Sequence, residues 1–283
     1  MTMHQHETSP SPGASAGLRW YGQTDVGRVR RNNEDAFLCL RFDAREIQLL
    51  GKYGDASMAD ADYVFAVSDG MGGAMAGEFA SRTAVEKIAR LLPRSFRQAA
   101  SGLNAGYADV LEELYEQTHR SLMFLGGSDE ECKGMGATLS LCWFTAGWMY
   151  FGHLGDSRVY YLPKRDGGIR QLTEDDTHVG WLYRNGKINE REARSHPRRN
   201  LLQKALGAGH QFVDPQVGAV ACEPGDRFLL CTDGLIDGLY DAQLLEGLCE
   251  VPTDNPALHL VERARENSGR DNITALVVDV MGS

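Results

Sequence analysis

The sequence lacks the features of several classes of protein. No apolar run approaches the roughly 18–20 residues that span a bilayer, so we expect no membrane segment. The first residues, Met1-Thr2-Met3-His4-Gln5-His6, have neither the basic start nor the apolar stretch of a secretory signal. We therefore expect a cytoplasmic protein.

Zinc-type ligand patterns and an excess of basic charge are also missing. The six cysteines show neither a CxxC pair nor a Cys/His ligand spacing, which favours buried, inert thiols over a structural zinc site. The formal net charge is −10, which opposes nucleic-acid binding. A strongly acidic protein is instead suited to concentrating cations in an acidic cleft.

The composition is that of a globular protein with a sizeable core, since 42 % of the 283 residues are hydrophobic. Residues 1–17 are small and polar and predict a disordered tail. Nothing divides residues 18–283 into separate domains, so we expect one. Within it, the polar and locally basic segment 174–210 predicts an insertion that lies on the domain.

Runs of β-branched, aromatic and apolar residues bounded by turn residues predict the strands. The predicted strands are 36–42, 63–68, 137–144, 148–153, 157–162, 168–172, 226–232 and 273–280. The pair 148–153 and 157–162, joined by Leu154-Gly155-Asp156, predicts a hairpin.

Helices are predicted where apolar residues recur every three or four positions. One stripe runs from Phe79 to Leu91, a second from Tyr107 to Leu125, and Asn255-Pro256 begins a helix with Leu258 facing inward. The order of elements is not a strict βαβα alternation. It favours antiparallel sheets covered by helices, an α+β fold.

Acidic residues occur at the ends of the predicted strands: Asp35, Asp69, Asp156, Asp233 and Asp271. A single aspartate beside a glycine usually indicates only a turn. Five such acids converging on one edge would repel each other unless a cation neutralised them. Carboxylate oxygens favour Mg²⁺ or Mn²⁺ over zinc, and a bridging carboxylate could hold two ions about 3.5–4 Å apart.

The glycine-rich stretch Ser68–Gly73 allows three interpretations: a tight turn, a phosphate cradle or a metal site. It contains neither GxGxxG nor GxxxxGK[ST], and Asp69 would repel a pyrophosphate unless a cation lay between them. A glycine after the acid would let its backbone carbonyl approach a metal closely.

Six motifs occur in one order along the chain. They are Arg30-Arg31-Asn32-Asn33-Glu34-Asp35, Asp69-Gly70-Met71-Gly72-Gly73, Gly136-Ala137-Thr138, Gly155-Asp156-Ser157-Arg158, Asp233-Gly234-Leu235-Ile236-Asp237 and Asp271-Asn272. Together they resemble the bacterial branch of the PPM, or PP2C-type, metal-dependent protein serine/threonine phosphatases, over about residues 18–281. The resemblance implies a four-layer αββα sandwich of two antiparallel sheets flanked by helices.

The resemblance also implies the site. Asp69 would bridge two Mn²⁺ or Mg²⁺ ions, one of them bound by the Gly70 carbonyl, with Asp233 and Asp271 on the other ion. Glu34 and Asp35 would contribute directly or through water. Asp156 would hold a third ion, completed by a main-chain oxygen near Asn200 or by Asp237.

The implied reaction is hydrolysis of phosphoserine and phosphothreonine by a metal-bridging hydroxide. Arg30, Asp69 and Asp233 are the implied catalytic residues, with Arg30 clamping the phosphate. We expect a monomer that acts on phosphoproteins and opposes a serine/threonine kinase. Two alternatives are a pseudophosphatase, which the complete ligand set disfavours, and a hydrolase of small phosphoesters.

One departure from the family concerns the proton donor. Animal members have a histidine where this chain has Met71, so a metal-bound water is the expected donor here. His153 is predicted to lie in the core, and His178 is a weaker candidate for the acid. We also hypothesise that four arginines of segment 174–210 attract acidic phosphoproteins: Arg191, Arg194, Arg198 and Arg199.

Overall fold

The computed structural model describes residues 17–100, 106–249 and 254–282. The predicted tail therefore lies outside the described residues, except for Gly17, which begins the first strand. The strands are β1 (Gly17–Asp25), β2 (Asp35–Phe42), β3 (Ile47–Leu49), β4 (Tyr53–Ser57), β5 (Asp62–Met71), β6 (Gly136–Ala137), β7 (Leu139–Thr145), β8 (Trp148–Leu154), β9 (Arg158–Leu162), β10 (Arg170–Gln171), β11 (Leu206–Gly207), β12 (Gln216–Ala221), β13 (Arg227–Cys231) and β14 (Ile273–Met281). The α-helices are α1 (Ala74–Ala100), α2 (Tyr107–Ser128), α3 (His178–Arg184), α4 (Glu190–Ser195), α5 (Asp233–Gly238), α6 (Asp241–Cys249) and α7 (Pro256–Asn267), with a 3₁₀ turn at Glu130–Cys132.

The strands of the described residues form two sheets. The first has the order β10-β9-β13-β14-β1-β4, and the second has the order β11-β6-β5-β7-β8-β12. In the second sheet β2 pairs with β5 and carries β3 on its other side. The pairings between the named strands are antiparallel, as expected from the order of elements.

Alternation along each strand separates three hydrophobic layers. In β13, Phe228 and Leu230 pack between the two sheets, whereas Leu229 faces the layer beneath α5–α7. On the opposite side, Ile88 of α1 and Leu114 of α2 pack in the layer that covers the second sheet. Helices therefore cover both outer faces, which confirms the four-layer αββα sandwich.

The predicted hairpin of 148–153 and 157–162 is wrong. β8 pairs with β7 and β12 in the second sheet, whereas β9 pairs with β10 and β13 in the first. Gly155, with φ of 116°, turns the chain so that it crosses from one sheet to the other. Asp156 consequently lies where the ends of the two sheets meet.

The predicted helices form, although two of their apolar residues face outward. Asn255 caps α7 by accepting the Leu258 N–H at 3.0 Å. Phe79 is 44 % exposed and Leu258 is 38 % exposed, so these two members of the stripes are not core residues. No helix in the described part of the chain has the length and apolar character needed to cross a membrane.

Candidate metal centre

The five strand-end acids meet at one end of the sandwich. Asp35 and Asp69 are directly opposite each other where β2 begins and β5 ends. The pKa of Asp69 is raised well above its ordinary value, first by burial and then by the charges of Asp35, Asp233, Asp156 and Asp271. Four neighbouring acids thus act on one buried carboxyl group.

A cavity of about 740 Å³ opens above these acids. The predicted site residues on its wall are Arg30, Glu34, Asp69, Gly70, Asp156, Asn200, Asp233 and Asp271. Asp35 and Asp237 do not line this cavity. Asp35 lines a separate cavity between β2 and α1, and Asp237 lines a smaller neighbouring cavity that shares Asp156 and Asp233.

Asp35 is fixed from behind by two threonines. Its Oδ2 accepts hydrogen bonds from the hydroxyl groups of Thr232, at 2.8 Å, and Thr274, at 2.7 Å. Its Oδ1 is buried without a hydrogen-bond partner. Burial raises the pKa of Asp35 to about 7, despite the two hydrogen bonds, and the charges of Asp271 and Glu34 act in the same direction.

Asp233 has a second unpartnered carboxylate oxygen. Its Oδ1 is buried without a hydrogen bond, and burial together with the neighbouring acids, Asp156 first, raises its pKa well above the ordinary value. The next residue must be glycine, because a Cβ on Gly234 would lie 1.9 Å from the carbonyl oxygen of Asn272. This close approach brings Asp233 against the start of β14.

The stretch Ser68–Gly73 makes a similar close approach to α1. A Cβ on Gly70 would lie 1.9 Å from the Gly77 carbonyl oxygen, and the Gly70 N–H donates to the Glu34 carbonyl at 3.1 Å. Gly72 and Gly73 have φ of 121° and 90°, which favour glycine. These glycines let β5 turn sharply into α1 while the acid before them stays at the cavity.

Thr138 holds the backbone of Asp69. Its hydroxyl oxygen accepts the Asp69 N–H at 2.9 Å, and its own N–H donates to the Asp69 carbonyl at 2.8 Å. The same hydroxyl lies 2.7 Å from the Ser157 hydroxyl. Residues of β6–β7 and of the crossover thus fix the position of Asp69.

Arg30 lies at the mouth of the cavity. It donates to Asp271 Oδ2 at 2.8 Å and lies 3.9 Å from Glu34. Burial alone would lower its pKa, but the bond and charge of Asp271 outweigh burial and raise it. Asn272 completes this corner because its Oδ1 accepts the Glu34 N–H at 2.8 Å.

Asp156 and Asp237 occupy the side nearest the segment 174–210. Burial, followed by the charge of Asp175, raises the pKa of Asp156 to about 7, whereas Arg158 opposes the rise. Asp237 forms an ion pair with Arg199 at 2.9 Å. The structure therefore places Asp237 beside Asp156, with both of its carboxylate oxygens accepting hydrogen bonds from Arg199, at 3.5 and 2.9 Å.

The fit to a cation can be judged from these groups. In the described ranges, the side chains of acids, histidines and cysteines form no group of three that is arranged to hold a metal ion. Asp271 accepts a hydrogen bond from Arg30 instead, and Asp35 accepts hydrogen bonds from two threonines. The donors are nonetheless all oxygen atoms, as Mg²⁺ and Mn²⁺ require. Two unpartnered buried oxygens and the mutual repulsion of the acids fit a divalent cation centre.

The two histidines considered from the sequence lie away from the chemistry. His153 is fully buried, with its ring nitrogens bonded to Ser140 and Gly155, which confirms the prediction of a core residue. Burial lowers its pKa to about 4. His178 is exposed and stacks on Trp181.

Two of the four arginines considered in segment 174–210 have structural partners. Arg194 donates to the carbonyl oxygens of Ile236 and Leu239 and lies 4.0 Å from the ring centre of Tyr240. Arg199 pairs with Asp237, as described above. Arg191 and Arg198 are exposed, so the hypothesis of a phosphoprotein-attracting surface rests on these two.

Several residues with supporting positions received no role in the sequence analysis. Thr138 and Asn272 occur in the quoted motifs, and Thr232 directly precedes Asp233, so adjacency to the acids was an available signal. His210 also lines the cavity, but its sequence neighbourhood gives no comparable indication.

Comparison with known proteins places these features in one family. The family model described as Protein phosphatase 2C matches residues 53–266. The chain is 34 % identical over 273 residues to the serine/threonine protein phosphatase PstP of Mycobacterium tuberculosis, covering 93 % of this chain but 45 % of that relative. The chain thus spans less than half the length of the mycobacterial relative.

A shorter relative and a solved structure match almost throughout. The serine/threonine phosphatase stp of Listeria innocua is 33 % identical over 260 residues, covering 91 % of this chain and 94 % of the relative. A crystal structure of the PstP catalytic domain in complex with two manganese ions matches with a TM-score of 0.73 and 31 % identity, covering 94 % of this chain and 99 % of that one. The likeness inferred from the six motifs is confirmed: the chain belongs to the protein phosphatase 2C family.

Proposed function

We propose that this protein is a metal-dependent phosphatase that hydrolyses phosphoserine and phosphothreonine in proteins. The observation that carries the proposal is the buried cluster of acids beneath an open cavity, with two carboxylate oxygens that have no hydrogen-bond partner. The names of the bacterial relatives, and the two manganese ions in one of their structures, support the same activity.

The cluster's oxygen ligands would hold two Mn²⁺ or Mg²⁺ ions. Asp69, the Gly70 carbonyl, Asp233 and Asp271 are the proposed ligands, with Glu34 and Asp35 in support, and a third ion is proposed at Asp156 with Asp237 or a main-chain oxygen near Asn200. Such ions, when bound, polarise a phosphate and activate water as a nucleophile at neutral pH. In the absence of a cation the buried acids repel each other, so binding relieves an unfavourable charge.

The side chains around the cluster hold the substrate and the ligands in place. Arg30 is 44 % exposed at the cavity mouth, and its planar guanidinium can donate two parallel N–H groups to phosphate oxygens. Asp271 orients this guanidinium through their 2.8 Å bond. Thr232 and Thr274 hold Asp35 through its Oδ2, which leaves its buried Oδ1 without a hydrogen-bond partner.

The cavity volume of about 740 Å³ leaves room for a phosphorylated side chain presented by another protein. Asn200, Leu201 and Leu202 of segment 174–210 form part of its wall, so a bound protein would contact this segment as well as the acids. A cognate serine/threonine kinase, a monomeric state and a cytoplasmic location stay predictions, as does the choice between Mn²⁺ and Mg²⁺.

Phosphate release from phosphoserine and phosphothreonine peptides tests the proposal. We expect turnover with Mn²⁺ or Mg²⁺, none in EDTA, and recovery when the cation is restored. The same preparation should be assayed on p-nitrophenyl phosphate. A higher kcat/KM for the small ester than for every peptide would favour a small-phosphoester hydrolase, and the absence of cation-dependent turnover on any substrate would refute the proposal.

A further inference from the structure

The reaction proposed above needs an acid that this chain's sequence motifs do not supply, and the following inference rests on that proposed function. When the bond between phosphorus and a serine or threonine oxygen breaks, the electron pair stays on the oxygen. The resulting alkoxide is a poor leaving group unless an acid protonates it as the bond breaks. Met71, at the end of β5, carries no proton to give.

The cavity contains one side chain suited to this task. His210 is the only histidine among the described residues that line it. The arginines of the wall keep their protons at neutral pH, and the carboxylates are the proposed cation ligands. Histidine gives and takes a proton close to neutral pH and is the commonest general acid in enzymes. We infer that His210, rather than the metal-bound water expected from the sequence, protonates the leaving serine or threonine oxygen.

The strand register places His210 on the side of the cavity where Met71 lies. Met71 is opposite Gly136 in the pairing of β5 with β6, and Gly136 is opposite Gly207 in the pairing of β6 with β11. Neighbouring strands lie about 4.8 Å apart, so Met71 and Gly207 are about 10 Å apart across the sheet. His210 follows only three residues after Gly207.

The loop that carries His210 has a conformation that a simple connection would not need. Gly207, Ala208 and Gly209 have φ of 70°, 52° and 75°, and Ala208 is the one non-glycine residue with positive φ in the described part of the chain. The Ala208 N–H donates to Met135 O at 2.7 Å, and the His210 N–H donates to Gly207 O at 3.1 Å. Such strain persists where the surroundings enforce it, and it is concentrated at functional sites.

A buried histidine behind the loop holds it in place. His119 is 5 % exposed, and its Nδ1 accepts the Gly207 N–H at 3.0 Å. Burial, the largest cause, lowers the pKa of His119, whereas a hydrogen bond with the backbone of His210 raises it, so His119 contacts the loop at His210 as well as at Gly207. Among the described residues the imidazole of His210 itself has no hydrogen-bond partner, so its nitrogens are available to a substrate.

The proposed step balances in atoms and charge. The oxygen of a water molecule bonds to phosphorus while the bond from phosphorus to the serine or threonine oxygen breaks. The imidazolium N–H of His210 gives its proton to that departing oxygen. The attacking water releases one proton to solvent and the neutral imidazole takes one back, so the net products are an alcohol and phosphate.

Two small esters of nearly equal size separate proton donation from a structural role. Phenolate, with a conjugate-acid pKa of about 10, needs a proton to leave readily, whereas p-nitrophenolate leaves without one at neutral pH. We expect His210→Gln to lower kcat/KM for phenyl phosphate on the order of 100-fold, the lower end of general-acid effects. The fall for p-nitrophenyl phosphate should be far smaller, and the fall for a phosphoserine peptide should follow phenyl phosphate.

His178→Gln is the matched control, because His178 is exposed on α3 and does not line the cavity. It should leave kcat/KM for both esters at the wild-type value. Equal losses on the two esters in His210→Gln, at an unchanged melting temperature, would overturn the role of His210, as would no loss on either ester. A selective loss in His178→Gln would overturn it in favour of His178.

A wild-type protein active on both esters but inert toward phosphopeptides would refute the proposed protein substrate, while the ester comparison would still decide the role of His210.

Discussion

Replacing Asp35 with asparagine should stabilise the metal-free protein at neutral pH. Burial raises the pKa of this carboxyl group from 3.8 to about 7, so between these values the folded protein holds a proton that the unfolded chain releases. Stability therefore falls as pH rises through this range, and the full loss is present above about pH 7. Asparagine has the same shape, can accept both threonine hydroxyl groups and does not titrate.

The magnitude follows from the same two pKa values. Each unit of difference between the two pKa values corresponds to about 1.36 kcal/mol, so a charged Asp35 lowers the free energy of unfolding by up to about 4 kcal/mol above pH 7. Between pH 5 and pH 7.5, roughly 2–3 kcal/mol of this loss should accumulate. The other buried acids add their own pH dependence in wild type and variant alike, and comparing the two proteins removes most of that contribution.

Urea denaturation in EDTA at pH 5 and pH 7.5 measures the effect. From the lower to the higher pH, the wild type should lose about 2–3 kcal/mol more free energy of unfolding than Asp35→Asn. Asp60→Asn makes the same charge change at an exposed position and should behave as the wild type does. If Asp35→Asn and the wild type lost equal amounts of stability, the buried-charge account of the cluster would be refuted.

Two further substitutions test the site and its surroundings. Gly234→Ala places a Cβ 1.9 Å from the Asn272 carbonyl oxygen, so we expect a strongly reduced urea midpoint or no folded protein. Gly127→Ala is the control, because no atom lies within 4 Å of its new Cβ, and it should change the midpoint little. Similar midpoints for the two variants would contradict the close approach of the Gly234 and Asn272 backbones. Reversing the charge of both Arg191 and Arg198 should raise KM for an acidic phosphopeptide on the order of fivefold and leave KM for p-nitrophenyl phosphate unchanged, and equal effects on both substrates would remove the docking hypothesis.

The positions of the acids could be predicted because the signal is local. Asp69 lies near the end of β5, Asp233 lies two residues after β13 ends, and Asp271 lies two residues before β14 begins. The arrangement of the sheets was not available from the same local patterns. It came from the family resemblance, and the structure agrees with it.

The wrong and missing strand predictions occur where pairing between strands distant in the sequence decides the structure. Two apolar strands joined by three residues predict a hairpin, yet Gly155 carries the chain across the sandwich because each strand has its partners in a different sheet. The strands β1, β3, β4, β11 and β12 were not predicted. β1 mixes Leu18 and Trp20 with polar residues, and it is a strand because it pairs with β14 along nine residues.

His210 was missed for the same reason. Nothing in the sequence near it resembles a catalytic motif, and its place at the cavity depends on the pairing of β11 with β6. Residues 207–209 then turn the chain through three consecutive positive φ values. A side chain positioned in this way becomes visible only once the strands are paired.

The central claim is that the buried acids form a centre for divalent cations organised around Asp69. Titration of metal-free protein with Mn²⁺, followed by calorimetry, tests this claim most directly. We predict two high-affinity Mn²⁺ sites in the wild type, apart from the third ion proposed at Asp156, and the loss of both in Asp69→Asn, with the variant still folded in urea denaturation. Failure of the wild type to bind Mn²⁺, or undiminished binding by Asp69→Asn, would contradict the account.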